Sequence, residues 1–249
     1  MLKIYVFCHR HVVSNSTLTA CLLGLFFLLV VPGIAIGQDA GDGCGAVVDN
    51  GNTYDYRPDK FMPNGTFRSR EQMLKLVEDA HFTPAVETLR RGQSGFRPAP
   101  DIVFTLIKIP NHHRALMAMA ALGEKEKTSK PFESTYTIEC WFRRAIVWRP
   151  DDNIVRMLFA QYLFKARREN EAEQQLNVAA SQSSDNPFTQ HNIGLIYFDN
   201  KNYAKALAHA HRAYSLGLGT PTLRDQLKGI GKWAEKSDAL LIEPVKSGP

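Results

Sequence analysis

The stretch "NIGLIYFDNKNYAKALAHAHRAY", Asn192 to Tyr214, decides the fold. It reads as two helices joined by the polar turn Asp199 to Asn202, yet it places Gly194 and Ala206 among bulky neighbours. A glycine inside a helix costs about 1 kcal/mol relative to alanine. A close approach of two helix backbones at Gly194 and Ala206 would offset that cost, because larger residues there would push the pair apart.

Moving outward, the pattern recurs. The windows "IECWFRRAIVWRP", "AEQQLNVAASQSS" and "ALAHAHRAYSLGL" begin at Ile138, Ala172 and Ala206, with further small or apolar residues four and seven positions on. The helices before them repeat as well: Ala160 pairs with Gly194, and Leu163 with Tyr197, at the same spacing as Ala172 and Ala206. A fixed period of this length is the mark of stacked helix pairs, each unable to bury its apolar face alone.

On these residues the chain resembles the tetratricopeptide repeat (TPR) family. The third repeat, Asn186 to Leu218, carries the family's Leu/Ile-Gly pair as Ile193-Gly194, its aromatics as Tyr197 and Tyr203, and its alanines as Ala206 and Ala213. It departs at Gln190, where the family has tryptophan, and at Leu218, where it has proline. The second repeat spans about Asn153 to Ser184. The first spans about His112 to Pro150, with its helices separated by "GEKEKTSKPFEST". The resemblance implies an all-α solenoid of about three repeats over residues 101–236, closed by a capping helix "TLRDQLKGIGKWAEK" on which Trp233 covers apolar surface. Asn186 before Pro187, and Thr220 before Pro221, are expected to cap their helices. "DIVFTLIKIPNHH" is rich in β-branched residues, but Pro110-Asn111 ends it as Pro150-Asp151 ends the first repeat, so a helix is expected there.

Residues 38–100 form an extension. Its first part, to residue 68, is rich in Gly, Asn, Asp and Pro and is expected to be extended, with "NGT" (Asn64 to Thr66) as a turn. Short helices should follow, one with Met73, Leu74 and Val77 on its apolar side and one after Pro84 with Val86 and Leu89 inward. Residues 237–249 are expected to be a disordered tail.

Residues 1–37 have the layout of a secretory signal peptide: basic Lys3 and Arg10, the apolar run Ala20 to Val31, the break Pro32-Gly33, and small residues before Gln38. The apolar run is shorter than the roughly 20 residues of a spanning helix, so no membrane span is expected in the processed chain. An uncleaved anchor is the other reading. Removing the segment lowers the net charge from +5 to +3. It also leaves Cys44 and Cys140 as the remaining cysteines, expected to form a disulfide in an oxidising compartment.

The basic residues are scattered, without a stripe of interleaved aromatics, which argues against a nucleic-acid partner. No phosphate-binding loop, dinucleotide fingerprint or nucleophile elbow occurs. Glu87 and Glu139 lack a second carboxylate at defined spacing. His112-His113 read as a helix start at the surface, with a weak metal site shared with His81 as the sharper alternative. His209 and His211 point to different sides of their helix. The sequence therefore names no catalytic residue, cofactor or metal.

What remains is surface. The resemblance implies that the first helix of each pair lines a concave groove, which would hold Ile154, Met157, Gln161 and Phe164 from the second repeat, and Phe188, His191, Leu195 and Phe198 from the third. Phe164 and Phe198 are expected to be exposed anchors. The family's carboxylate clamp needs Lys and Asn where this chain has Met157, Gln161, His191 and Leu195. More broadly, the chain is similar to small exported TPR proteins of Gram-negative bacteria. The expected function is a periplasmic adaptor or assembly factor that binds a protein or peptide of the cell envelope. The alternative is a membrane-anchored accessory component of an envelope transport system.

Overall fold

Small residues at the helix seams set the architecture. The computed structural model describes residues 38–39, 43–47, 53–57, 70–93 and 95–235. The leader expected over 1–37, the turn expected at Asn64 and the tail expected over 237–249 lie outside the described residues. Two-residue strands β1 (Gln38–Asp39) and β2 (Ala46–Val47) pair antiparallel. Helices α1 (Arg70–His81), α2 (Pro84–Glu87) and α3 (Ala99–Lys108) lead into three pairs. These are α4 (His113–Glu126) with α5 (Ile138–Trp148), α6 (Asn153–Lys165) with α7 (Glu169–Gln182), and α8 (Pro187–Asp199) with α9 (Tyr203–Ser215). Helix α10 (Thr222–Gly229) packs on α8 and α9. The fold is an all-α helical repeat. Among the described residues no helix is long and apolar enough to cross a membrane.

The repeat is visible in the backbone. Asp152 and Asn186 cap α6 and α8 through their side chains, accepting from Val155 N–H and from Phe188 and Thr189 N–H. Arg167 (φ 60°) and Lys201 (φ 61°) adopt the same left-handed turn between the helices of their pairs. The turns after α3, α5 and α7 also match: Ile109, Arg149 and Ser183 have φ values of −136°, −137° and −134°. The β-branched stretch before Pro110 is therefore a helix that ends as the later second helices do. One apolar core runs from Phe82 through Leu163 to Leu227.

Ala160, Ala172, Gly194 and Ala206 are all buried. A Cβ on Gly194 would lie 3.3 Å from the Ala206 carbonyl oxygen and 2.5 Å from Leu223 Cδ2. The glycine thus serves two contacts, its own pair and the seat of α10. The first pair solves the same problem differently. There the bulky residue is Ile138, and the residue that makes room is Gly123, whose added Cβ would meet Ile138 Cδ1 at 2.1 Å. The insertion between α4 and α5 is shorter than the sequence suggests, because α4 continues through "GEKE" to Glu126. At the other end, α10 stops at Gly229, with Pro221 rather than Thr220 at its start. Trp233 lies beyond it, half-buried against His211 and Tyr214.

The N-terminal extension is fastened to the repeats. Cys44 and Cys140 are disulfide-bonded with Cα atoms 5.0 Å apart, across 96 residues. A loop of that size restricts the unfolded chain by about 4 to 5 kcal/mol. Gly43 (φ +78°) and Gly45 (φ +67°) let the chain turn so that the carbonyls of Cys44, Gly45 and Ala46 all accept from Arg144 Nη1, at 2.9 to 3.1 Å. Burial pulls the Arg144 guanidinium below its ordinary pKa. Further on, Tyr54 N–H donates to the Lys108 carbonyl and Tyr56 N–H to Asn111 Oδ1. Asn111 Nδ2 donates in turn to Asp55 and to Asp152, both at 2.8 Å. Arg149 and Arg57 also donate to Asp55.

The histidines here are structural partners. His112 is fully buried, not at the surface as its sequence suggests. Its Nδ1 accepts from Ala115 N–H at the start of α4, so its proton sits on Nε2 and is donated to Glu78. Burial pushes the His112 pKa down, and the hydrogen bond from His112 holds Glu78 below the usual carboxylate range. His113 pairs with Asp152, and His81 with Asp101.

Gly194→Leu and Ala206→Leu should each destabilise the protein by at least about 2 kcal/mol, the overpacking range sharpened by backbone on one side. Thermal unfolding followed by circular dichroism checks this. An unchanged transition in either variant would contradict the seam.

Candidate peptide groove

Helices α4, α6 and α8 line one open cavity of about 450 Å³. Met117, Ala121 and Glu124 come from α4, and Leu158, Gln161, Tyr162 and Lys165 from α6. These spacings of three, four and seven residues put each set on one helix face. Ile196 and Asp199 contribute from α8, with Asn200 just beyond it. Phe142 of α5 closes the floor, stacked on Phe159 and tilted against Tyr162. Apart from Gln161 the middle is apolar, and the charged groups gather at the C-terminal ends of the helices. Lys165 Nζ reaches across from α6 to Glu124 Oε1 on α4 at 2.6 Å. Both side chains are more than half exposed, so this pair contributes under about 1 kcal/mol.

Of the residues expected to line the groove, only Gln161 does so. Met157 and His191 are buried, and burial pushes the His191 pKa down. Leu195 is half-buried against the core. Phe164 and Phe198 are half-buried rather than exposed: Phe164 packs edge-on against Tyr197 of the next pair at 6.3 Å, and Phe198 against Tyr203 at 5.6 Å. Phe188 is exposed, as is Ile154, but both sit at the starts of their helices, away from the cavity. The wall is the stripe one residue further round: Leu158, Tyr162 and Lys165, with Ile196 and Asp199. Successive helical residues differ by about 100°, and on α6 both stripes are apolar, so the sequence pattern alone does not separate them.

The extension does not fill the cavity with any of its described residues; 43–47 lie on α5 and 53–57 on the turns after α3 and α5. Other candidate groups are engaged elsewhere. Glu87 pairs with Arg114, and Glu139 with Arg143 and Arg168. His209 bonds Gln190, while His211 bonds the Ala234 carbonyl. Among the described residues, no group of three or more His, Cys, Asp or Glu could hold a metal ion.

No family model, curated protein or solved structure matches the chain.

Phe164→Ala and Phe198→Ala should each lower stability by about 2 kcal/mol, roughly half the loss at a fully buried phenylalanine. Denaturant titration measures this. Unaltered midpoints would return both rings to solvent and restore them as surface anchors.

Proposed function

We propose that this chain is an exported TPR-type interaction module, an adaptor or assembly factor that holds a protein or peptide of the cell envelope without catalysis. The observation that carries the reading is the open cavity along α4, α6 and α8, with its apolar centre and polar end. Its volume falls in the range of about 300 to 1,000 Å³ typical of ligand sites, enough for a few side chains of a bound segment. Such a groove suits an amphipathic helix or extended peptide whose apolar side chains enter it.

Export is supported by the leader pattern over residues 1–37 and by the Cys44–Cys140 bond, since disulfides persist in oxidising compartments. Membership of the TPR family is supported by the recurrence of caps, left-handed turns and small residues at a spacing of 34, as in Arg167 and Lys201.

Site-specific photo-crosslinking in living cells tests the function. A benzophenone amino acid at Met117, on the groove and 54% exposed, should give discrete protein adducts. The same probe at Arg224, exposed on α10, should give none. Adducts of equal yield at both positions, or none at Met117, would contradict a binding groove.

A further inference from the structure

The charges in the groove point to the kind of segment it receives. Its lining carries two carboxylates, Glu124 and Asp199, and one cation, Lys165. Lys165 is engaged by Glu124 at 2.6 Å. Asp199, the last residue of α8, is exposed, and no cation of the described residues pairs with it. Lys201 follows closely in sequence, but after its left-handed turn it borders a separate depression with Tyr203 and Lys232.

The backbone adds to the same sign. Lys165 and Asp199 are the last residues of α6 and α8, and Glu124 lies in the last turn of α4. Three helices therefore finish at the polar end of the cavity. Each terminus carries the negative pole of its helix, equivalent to at most about half a charge, since turn N–H groups cap several of the last carbonyls. A carboxylate entering there would meet Asp199 and three negative helix ends with the single lysine already paired. A cation would be drawn to Asp199 and to the helix ends, with the charge of Lys165 offset by Glu124.

Building on the groove reading above, we infer that the occupant is an apolar peptide segment bearing a lysine or arginine, its aliphatic side chains over Met117, Leu158 and Ile196 and its cation beside Asp199. The positive side chain supplies orientation as well as affinity, because only one end of the cavity is negative. The attraction lies at an exposed site, so salt should screen it.

Fluorescence anisotropy with the full, disulfide-bonded protein tests this. The probes are three labelled peptides of Leu, Ala and Ser, blocked at both termini and differing only in carrying Lys, Gln or Glu at one end. The Lys peptide should bind about fivefold more tightly than the Gln peptide, a range set by exposed charge pairs and helix ends together. The Glu peptide should bind most weakly. Asp199→Lys should bring the Lys and Gln peptides to similar affinity with no fall in melting temperature, since the side chain is exposed and a cation suits a helix C-terminus. Ala121→Trp, which adds bulk at an exposed position inside the cavity, should weaken all three. Equal binding of the Lys and Gln peptides, still weakened by Ala121→Trp, would overturn the charge inference and leave the groove reading standing. No binding by any peptide, or binding that ignores Ala121→Trp, would overturn both.

Discussion

The buried carboxylate of Asp55 ties the N-terminal extension to two successive turns of the repeat. It is 1% exposed. Burial opposes its ionisation, but hydrogen bonds from the Arg57 side chain and N–H, Asn111 and Arg149 outweigh that and hold its carboxyl well below the usual range. The same Asn111 donates to Asp152, which caps α6. Asn111 follows α3 and Arg149 follows α5, at turns of closely matching backbone geometry. The extension therefore reads two equivalent turns at once. Removing one partner would leave a charge buried without full compensation, which typically costs about 3 to 5 kcal/mol.

The other fastenings follow from the same arrangement. The disulfide to Cys140 and the three carbonyls on Arg144 hold residues 44–46 against α5. None of the described residues of the extension lines the cavity between α4, α6 and α8. Towards the C-terminus a different device operates. There the seams close through small residues, and Gly194 admits both Ala206 and the Leu223 side chain of the capping helix. The front of the repeat is stapled from outside, and the back is held by its own close packing.

These two devices differ in how far sequence reveals them. A seam that needs a small residue must spend one in every repeat, so Ala160, Ala172, Gly194 and Ala206 stand out at constant spacing. The helix before Pro110 and the pairing of Cys44 with Cys140 were likewise legible, the first from its matching end and the second from the two cysteines that lie beyond residue 37. The Asp55 hub was not, because it joins side chains 56 and 94 residues apart through bonds that follow no period. The seam at Gly123 was less legible because Ile138 keeps the repeat spacing while Gly123 lies out of step with Ala160 and Gly194. The groove stripe was missed for a narrower reason. On α6 the residues at 157 and 164 are as apolar as Leu158, and only packing against the next pair decides which of them faces water.

Asp55 holds the first turns of the repeat together, independently of the small-residue seams behind them. Hydrogen–deuterium exchange of the disulfide-bonded Asp55→Asn variant, read by mass spectrometry, tests it directly. Exchange should rise in residues 53–57, around Asn111 and around Arg149, with α8 and α9 as protected as before. Unchanged protection at the two turns, or an equal rise through α6 to α9, would contradict it.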